Sequence, residues 1–239
     1  MLNSFKSRYG LFNNHNNLTA SLSKVNPNGS TRLRDSITGG IATILKMNGD
    51  LITNYGVTDR HFLHIIITDG EDTSSKNSLE DLGQLMRVLG QKIPKQMISN
   101  HFIGIDMNRN SKEAAELLAL SILGGDTSYF HLASSQSIKE IFNRIQAQCG
   151  IITQFNLQAL LTNNAGFLRY QERQRGFINL SVKKFIVIFN LDISGSMSGP
   201  RWNQLRTCIS QFTQRLTQQD LIAVILFNDK ITPLQPMYA

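Results

Sequence analysis

The sequence predicts an α/β protein: a Rossmann-like, doubly wound, mainly parallel sheet with helices on both faces. Three observations carry this expectation. Apolar runs of strand length occur at residues 62–67, 97–105, 185–191 and 221–227, and near-continuous runs are the mark of strands buried on both faces. Between most of them lie segments with apolar residues at i, i+3, i+4 and i+7, the stripe of an amphipathic helix. Two of the runs end in hydroxyl- and carboxylate-bearing loops, Thr68-Asp69-Gly70 and Asp192-Ile193-Ser194-Gly195-Ser196. Ligands of open α/β sheets bind at the carboxyl ends of strands.

The elements follow in order. Residues 1–30 are Asn- and Ser-rich and read as loop with one short helix at 18–25. Pro27-Asn28-Gly29-Ser30-Thr31 is a turn signal. Leu33, Ile37, Ile41 and Leu45 predict a helix, with 46–60 as a polar connection to the strand at 62–67. Ser78 opens a helix striped by Leu82, Leu85, Met86 and Leu89; the strand 97–105 then ends at Asp106. Asn110, with Glu113 three positions on, predicts the next helix start, and Gly124-Gly125 its stop. A strand at 129–132 precedes a capping box, Ser137-x-x-Glu140, and a helix carrying Ile138, Ile141, Phe142 and Ile145. Residues 167–170 and 177–182 suggest a hairpin. After the strand at 185–191, Leu205, Cys208, Ile209, Phe212 and Leu216 predict a helix; a strand at 221–227 and an edge strand at 231–234 close the chain.

Composition narrows the function classes. With 239 residues, 41% hydrophobic and 17% charged, the chain is an ordinary globular protein with a sizeable core. No apolar stretch approaches the ~20 residues that span a bilayer. Cys149 and Cys208 stand in neither a C-x-x-C nor a zinc spacing, and read as reduced thiols of an intracellular, cytoplasmic protein. The net charge is +7, with Lys6, Arg8, Lys24, Arg32 and Arg34 all preceding the first acid, Asp35. A second basic stretch comprises Arg169, Arg173, Arg175, Lys183 and Lys184, relieved by Glu172. Such an excess suits an acidic partner, an anionic surface or docking in a large assembly. Because aromatic and basic residues do not interleave in a recognisable RNA-binding pattern, nucleic acid is disfavoured. The acid-free, basic start weakly resembles a mitochondrial presequence, which makes mitochondria the alternative compartment.

The candidate site is Asp192, Ser194, Ser196, Thr31 and Asp69. Taken singly, Asp69 or Thr31 reads equally as a helix cap. Together they offer hard oxygen donors of the kind Mg²⁺ prefers, with Mn²⁺ or Ca²⁺ as alternatives. His61 and His64 point to opposite faces of a strand, which argues against a zinc pair. His101 reads as a satisfied core or edge histidine, and Trp202 as local packing or a ligand rim. Met197 at the centre of Gly195-Ser196-Met197-Ser198-Gly199 excludes a nucleophile elbow. With no P-loop lysine or Rossmann glycine fingerprint either, no catalysis is expected.

These residues resemble the von Willebrand factor A domain with an intact metal-ion-dependent adhesion site. Asp192-Ile193-Ser194-Gly195-Ser196-Met197 matches its D-x-S-x-S loop, Gly29-Ser30-Thr31 its threonine loop and Thr68-Asp69-Gly70 its T-D-G loop. The resemblance implies that Ser194 and Ser196 bind the ion directly, and Thr31 directly or through water. Asp192 and Asp69 would act through coordinated waters, and a ligand carboxylate would complete the shell. In the family the D-x-S-x-S loop comes first; here it comes last. The resemblance therefore implies a circularly permuted single domain. Residues 1–149 would correspond to the usual C-terminal part, 150–184 to a connector and 185–239 to the usual N-terminal part. Exchange between protomers is the competing topology. The implied function is protein–protein interaction through a partner's Asp or Glu within a multiprotein assembly. The alternative is a structural subunit of a large complex, docking by its surface and basic connector.

Overall fold

The computed structural model describes residues 2–12, 15–149 and 184–236. The apolar runs form β1 (Arg60–Thr68), β2 (Ile98–Ile105), β4 (Lys184–Asp192) and β5 (Leu221–Phe227), joined by β3 (Ser128–Ala133) and β6 (Ile231–Pro233). They make one six-stranded sheet in the order β3-β2-β1-β4-β5-β6. All neighbours are parallel except β5 and β6, which are antiparallel. Every residue of β1 and β5 is buried, as strands covered on both faces require. Ile67 lies opposite Leu191, Thr68 opposite Gly104 and Asp192 opposite Phe227, so the central strands end at one common edge.

The helices are α1 (Leu2–Tyr9), α2 (His15–Leu22), α3 (Leu33–Tyr55), α4 (Leu79–Lys92), α5 (Lys112–Leu123), α6 (Ile138–Cys149) and α7 (Pro200–Thr213). Because successive strand residues alternate faces, Leu63, Ile65, Ile67 and Phe189 join the apolar residues of α2, α6 and α7. Phe62, Ile66, Ile186 and Ile188 join those of α1, α3, α4 and α5 on the other face. This is the doubly wound arrangement. Among the described residues no helix is long and apolar enough to cross a membrane. Cys208 is a free, buried thiol.

The sequence expectations differ from the structure in several places. Helix α3 continues to Tyr55 through the stretch read as a polar connection, because Met47 and Leu51 extend its buried stripe. Helix α1 has no counterpart among the expectations. Ser111, not Asn110, caps α5 by accepting the Ala114 N–H. Ser137 Oγ accepts the Ser134 N–H rather than closing a box with Glu140. Helix α7 stops at Thr213, so Leu216 packs from beyond its end. The hairpin at 167–182 and Cys149's side chain lie outside the described residues.

A polar row runs through the apolar face under α3. His64 Nε2–H donates to Asn190 Oδ1 (3.0 Å), and Asn190 Nδ2 donates to the carbonyl of Ser36 and to its hydroxyl, each at 2.7 Å. His64 Nδ1 faces Asn100 Oδ1 at 3.3 Å. Helix α3 can lie over this row only because Gly40 has no side chain: a Cβ there would stand 2.6 Å from His64 Nε2 and 2.8 Å from Asn190 Oδ1. Gly40→Ala is therefore expected to destabilise by about 2–3 kcal/mol through overpacking. Gly49, on the same helix with nothing near its Cβ, should respond oppositely, Gly49→Ala stabilising by about 0.5–1 kcal/mol. Urea unfolding of the two variants checks the pair; a shift of the same sign in both would contradict this packing.

Candidate metal centre

Three loops meet where β1 and β4 end. Asp192, the last residue of β4, is 0% exposed. Its Oδ1 accepts the Ser194 N–H (2.8 Å) and its Oδ2 the Thr68 hydroxyl (2.6 Å). The first bond folds the chain into a turn, and the 3₁₀ turn Gly195–Met197 follows, anchored by the fully buried Met197. That turn carries the hydroxyls of Ser194 and Ser196 to within 3.0 Å of each other. The threonine loop is strapped on by main-chain bonds, Asn28 N to Ile193 O (2.7 Å) and Gly195 N to Gly29 O (3.1 Å). Gly29 has φ 83°, and a Cβ there would meet Asp229 Oδ1 at 2.9 Å, so the strap needs glycine.

Asp69 stands beside the serine pair. Ser196 Oγ donates to its Oδ1 at 2.8 Å, and Arg201 at the start of α7 donates to its Oδ2 at 2.7 Å. Arg201 also bonds the Ser196 carbonyl (3.1 Å) and, through Nε, Asp106 Oδ2 (2.9 Å) at the end of β2. Hydrogen bonds thus join four of the five expected site residues into one connected chain, Asp192 to Ser194 to Ser196 to Asp69. Thr31 is buried in the same loop cluster, its N–H bonded to Thr73 Oγ1 and its carbonyl to the Thr73 and Ser74 N–H groups. No hydrogen bond joins its hydroxyl to the other four. Asp72 serves the fold, accepting from Arg34 N (2.7 Å) and Ser75 N (2.9 Å); Glu71 pairs with Lys112 at the surface.

The electrostatics separate the two carboxylates. Burial, and then the nearby charge of Asp69, push Asp192 up to about 6 against the pull of its Thr68 and Ser194 hydrogen bonds. Among the described residues no Lys, Arg or His is paired with Asp192, whereas Asp69 has Arg201. The donor set fits a hard cation. Two cis ligands of an octahedral Mg²⁺ at ~2.1 Å stand about 3.0 Å apart, the separation of the Ser194 and Ser196 hydroxyls. Among the described residues no group of three or more His, Cys, Asp or Glu is arranged to hold a metal.

The remaining candidates resolve into packing. His61 bonds Gln96 O and Ser99 Oγ, while His64 joins the row under α3. His101 is buried with Nδ1 3.1 Å from His131 Nε2, and its Nε2 has no partner among the described residues. Trp202 is buried in the core against the sheet, away from any rim. Arg201 and Asp106 were absent from the sequence-derived site. A signal existed: three parallel strands, β1, β2 and β4, end in or just before an aspartate.

Fold and edge together define an α/β domain with a hydroxyl- and carboxylate-lined loop cluster at the carboxyl end of its central strands. Residues 187–239 match the family model of the von Willebrand factor type A domain, generally a protein-interaction module and often metal-dependent. The chain is also similar to a solved structure, the crystal structure of an uncharacterized protein from Alicyclobacillus acidocaldarius subsp. acidocaldarius DSM 446. The two are 16% identical with a TM-score of 0.44, over 75% of this chain and 81% of that chain. No curated protein matches.

Proposed function

We propose that this chain is a metal-dependent protein-interaction module rather than an enzyme. Ser194, Ser196 and Thr31 hold a divalent ion, Mg²⁺ with Mn²⁺ and Ca²⁺ as substitutes, and Asp192 and Asp69 support them. One observation carries the reading: Asp192 is withdrawn from water with no cationic partner among the described residues, beside two hydroxyls spaced like an edge of a Mg²⁺ octahedron. A buried, uncompensated carboxylate is costly, and a cation removes that cost. When bound, the ion supplies the positive charge that receives an Asp or Glu of the partner. The chain's own residues do the rest. Thr68 and the Ser194 N–H orient Asp192, and Asp69 accepts the hydrogen bond of the Ser196 hydroxyl, which fixes where that oxygen's lone pairs point.

The order of the loops is read as a circular permutation, in which placing 185–239 before 1–149 restores the family's succession. Two contacts support it. Phe12 exchanges main-chain hydrogen bonds with Ile222 of β5 at 2.8 and 2.9 Å, and Gln235 lies against Gly10. The segments around Gly10–Phe12 and around Gln235 therefore meet at one side of the sheet, so a short connection between them would restore the family's order.

A second reading, a structural subunit of a large assembly with the metal incidental, draws on Arg201, which already gives Asp69 a cationic partner. Peptides carrying a single Glu, offered to the immobilised protein beside matched Gln peptides, separate the two. The module reading expects retention of Glu peptides only, in Mg²⁺ and not in EDTA. Equal retention of the Gln peptides, or retention in EDTA, would reject it.

A further inference from the structure

Asp106 is the one non-glycine residue with a positive φ, 53°, among the described residues. Asp tolerates this left-handed conformation better than most side chains, yet glycine would hold it at lower cost. Residues kept in sparsely populated backbone regions cluster at functional sites, so the observed outlier calls for a role. The side chain supplies one. Asp106 is fixed by its own N–H to the Ala133 carbonyl (2.8 Å) and by the Ser135 N–H to its Oδ1 (2.9 Å). Its remaining oxygen, Oδ2, accepts Arg201 Nε at 2.9 Å.

Arg201 passes this fixed position on. Its Nη1 reaches Asp69 Oδ2 at 2.7 Å and the Ser196 carbonyl at 3.1 Å, so one guanidinium grips both the carboxylate and the main chain of the serine turn. Asp69's side chain is 0% exposed, and its other oxygen receives the Ser196 hydroxyl at 2.8 Å. With the Ser196 proton committed to Asp69, the 3.0 Å contact between the two serines can only be Ser194 donating to Ser196. One lone pair of Ser196 thus accepts from Ser194, and the other is left for a cation.

We propose that Asp106 and Arg201 are positioning residues of the ion site, an arm that runs from the end of β2 through Asp69 to the Ser196 hydroxyl. The inference rests on the divalent-ion reading above and adds two residues that touch no ion themselves. A purely structural ion pair, tying β2 to α7, is the competing account. The two differ in what they predict for substitutions at 106.

Asp106→Gly suits the backbone and removes the carboxylate. Asp106→Asn also tolerates the conformation and keeps one oxygen, which can accept either Arg201 Nε or the Ser135 N–H but not both, and it loses the charge. Mn²⁺ affinity, read as loss of the free-ion electron paramagnetic resonance signal, is measured beside the thermal melting temperature for the wild type and both variants. The expected result is a drop of about tenfold or more in Asp106→Gly, the scale of lost outer-shell support. Part of the affinity should return in Asp106→Asn, and the melting temperature of both should stay near that of the wild type. Equal losses in the two variants would assign the effect to charge alone and overturn the positioning role. So would unchanged affinity in Asp106→Gly, or a lost affinity that tracks a collapsed melting temperature. No Mn²⁺ binding by the wild type would overturn the ion reading and this inference with it; binding by the wild type with an unaffected Asp106→Gly would overturn this inference alone.

Discussion

Asp192→Ala is expected to abolish divalent-ion binding, lowering affinity by at least about 100-fold, beyond the 10–100-fold that outer-shell losses cost. Asp192 accepts both the Ser194 N–H and the Thr68 hydroxyl. Its removal therefore deletes the site's central negative charge and also frees the turn that brings the two serines together. Stability reports the same event. A ligand at about 100 times its Kd stabilises the folded state by about 2.7 kcal/mol, which for a domain of this size raises Tm by roughly 5–10 °C. Wild-type protein should show that rise on adding Mg²⁺ and lose it in EDTA. The Asp192→Ala variant should melt at one temperature in both. A variant that still responds to Mg²⁺ would show that the ion binds elsewhere.

The second large effect is acid destabilisation of the metal-free protein. Burial, opposed by the Asn190 and Asn100 hydrogen bonds, holds His64 down to about 4; burial and then the charge of His131 hold His101 down to about 3. An unfolded histidine titrates near ~6.5. Below that pH the unfolded chain binds protons that the folded chain refuses, so stability falls as the pH falls from ~6.5 towards the folded values. By pH ~4.5 the two histidines together cost about 5 kcal/mol on this basis. Asp192 runs the other way: its folded value, about 6, exceeds its unfolded one, so protonation below ~6 returns about 2 kcal/mol. For these three groups together the net is a loss of about 3 kcal/mol between pH 7 and ~4.5. Urea midpoints in EDTA at the two pH values measure it. An unchanged or higher midpoint at the acid pH would contradict the neutral burial of His64 and His101.

Much of the fold is legible because parallel strands buried on both faces must be apolar throughout. Residues 221–227 were bounded correctly for that reason, and β1 and β4 to within two residues. The stripe of α3 faded where Met47 and Leu51 were spaced among Lys46, Asn48, Gly49 and Asp50. A few buried contacts on one side of a long helix suffice to continue it, whatever its polar face contains. Caps slipped by one residue, as between Asn110 and Ser111, because adjacent capping side chains compete for the same N–H groups.

The site divides along the same line. Asp192, Ser194 and Ser196 are adjacent in sequence, and a single turn makes them adjacent in space. Arg201 meets Asp106 across 95 residues and Asp69 across 132, and no local pattern encodes such pairs. They become visible only when parallel register sets the ends of β1, β2 and β4 side by side. The meeting of Thr31 with the serine turn likewise depends on the strap from Asn28 and Gly29 to Ile193 and Gly195.

The most direct test is anomalous diffraction from crystals of the wild-type protein grown or soaked in Mn²⁺. The account predicts a peak about 2.2 Å from both the Ser194 and Ser196 hydroxyls, a distance typical of hard-cation oxygen ligands, with Thr31 in reach and Asp69 still held by Arg201. An empty edge at saturating Mn²⁺, or a peak confined to another part of the surface, would contradict it.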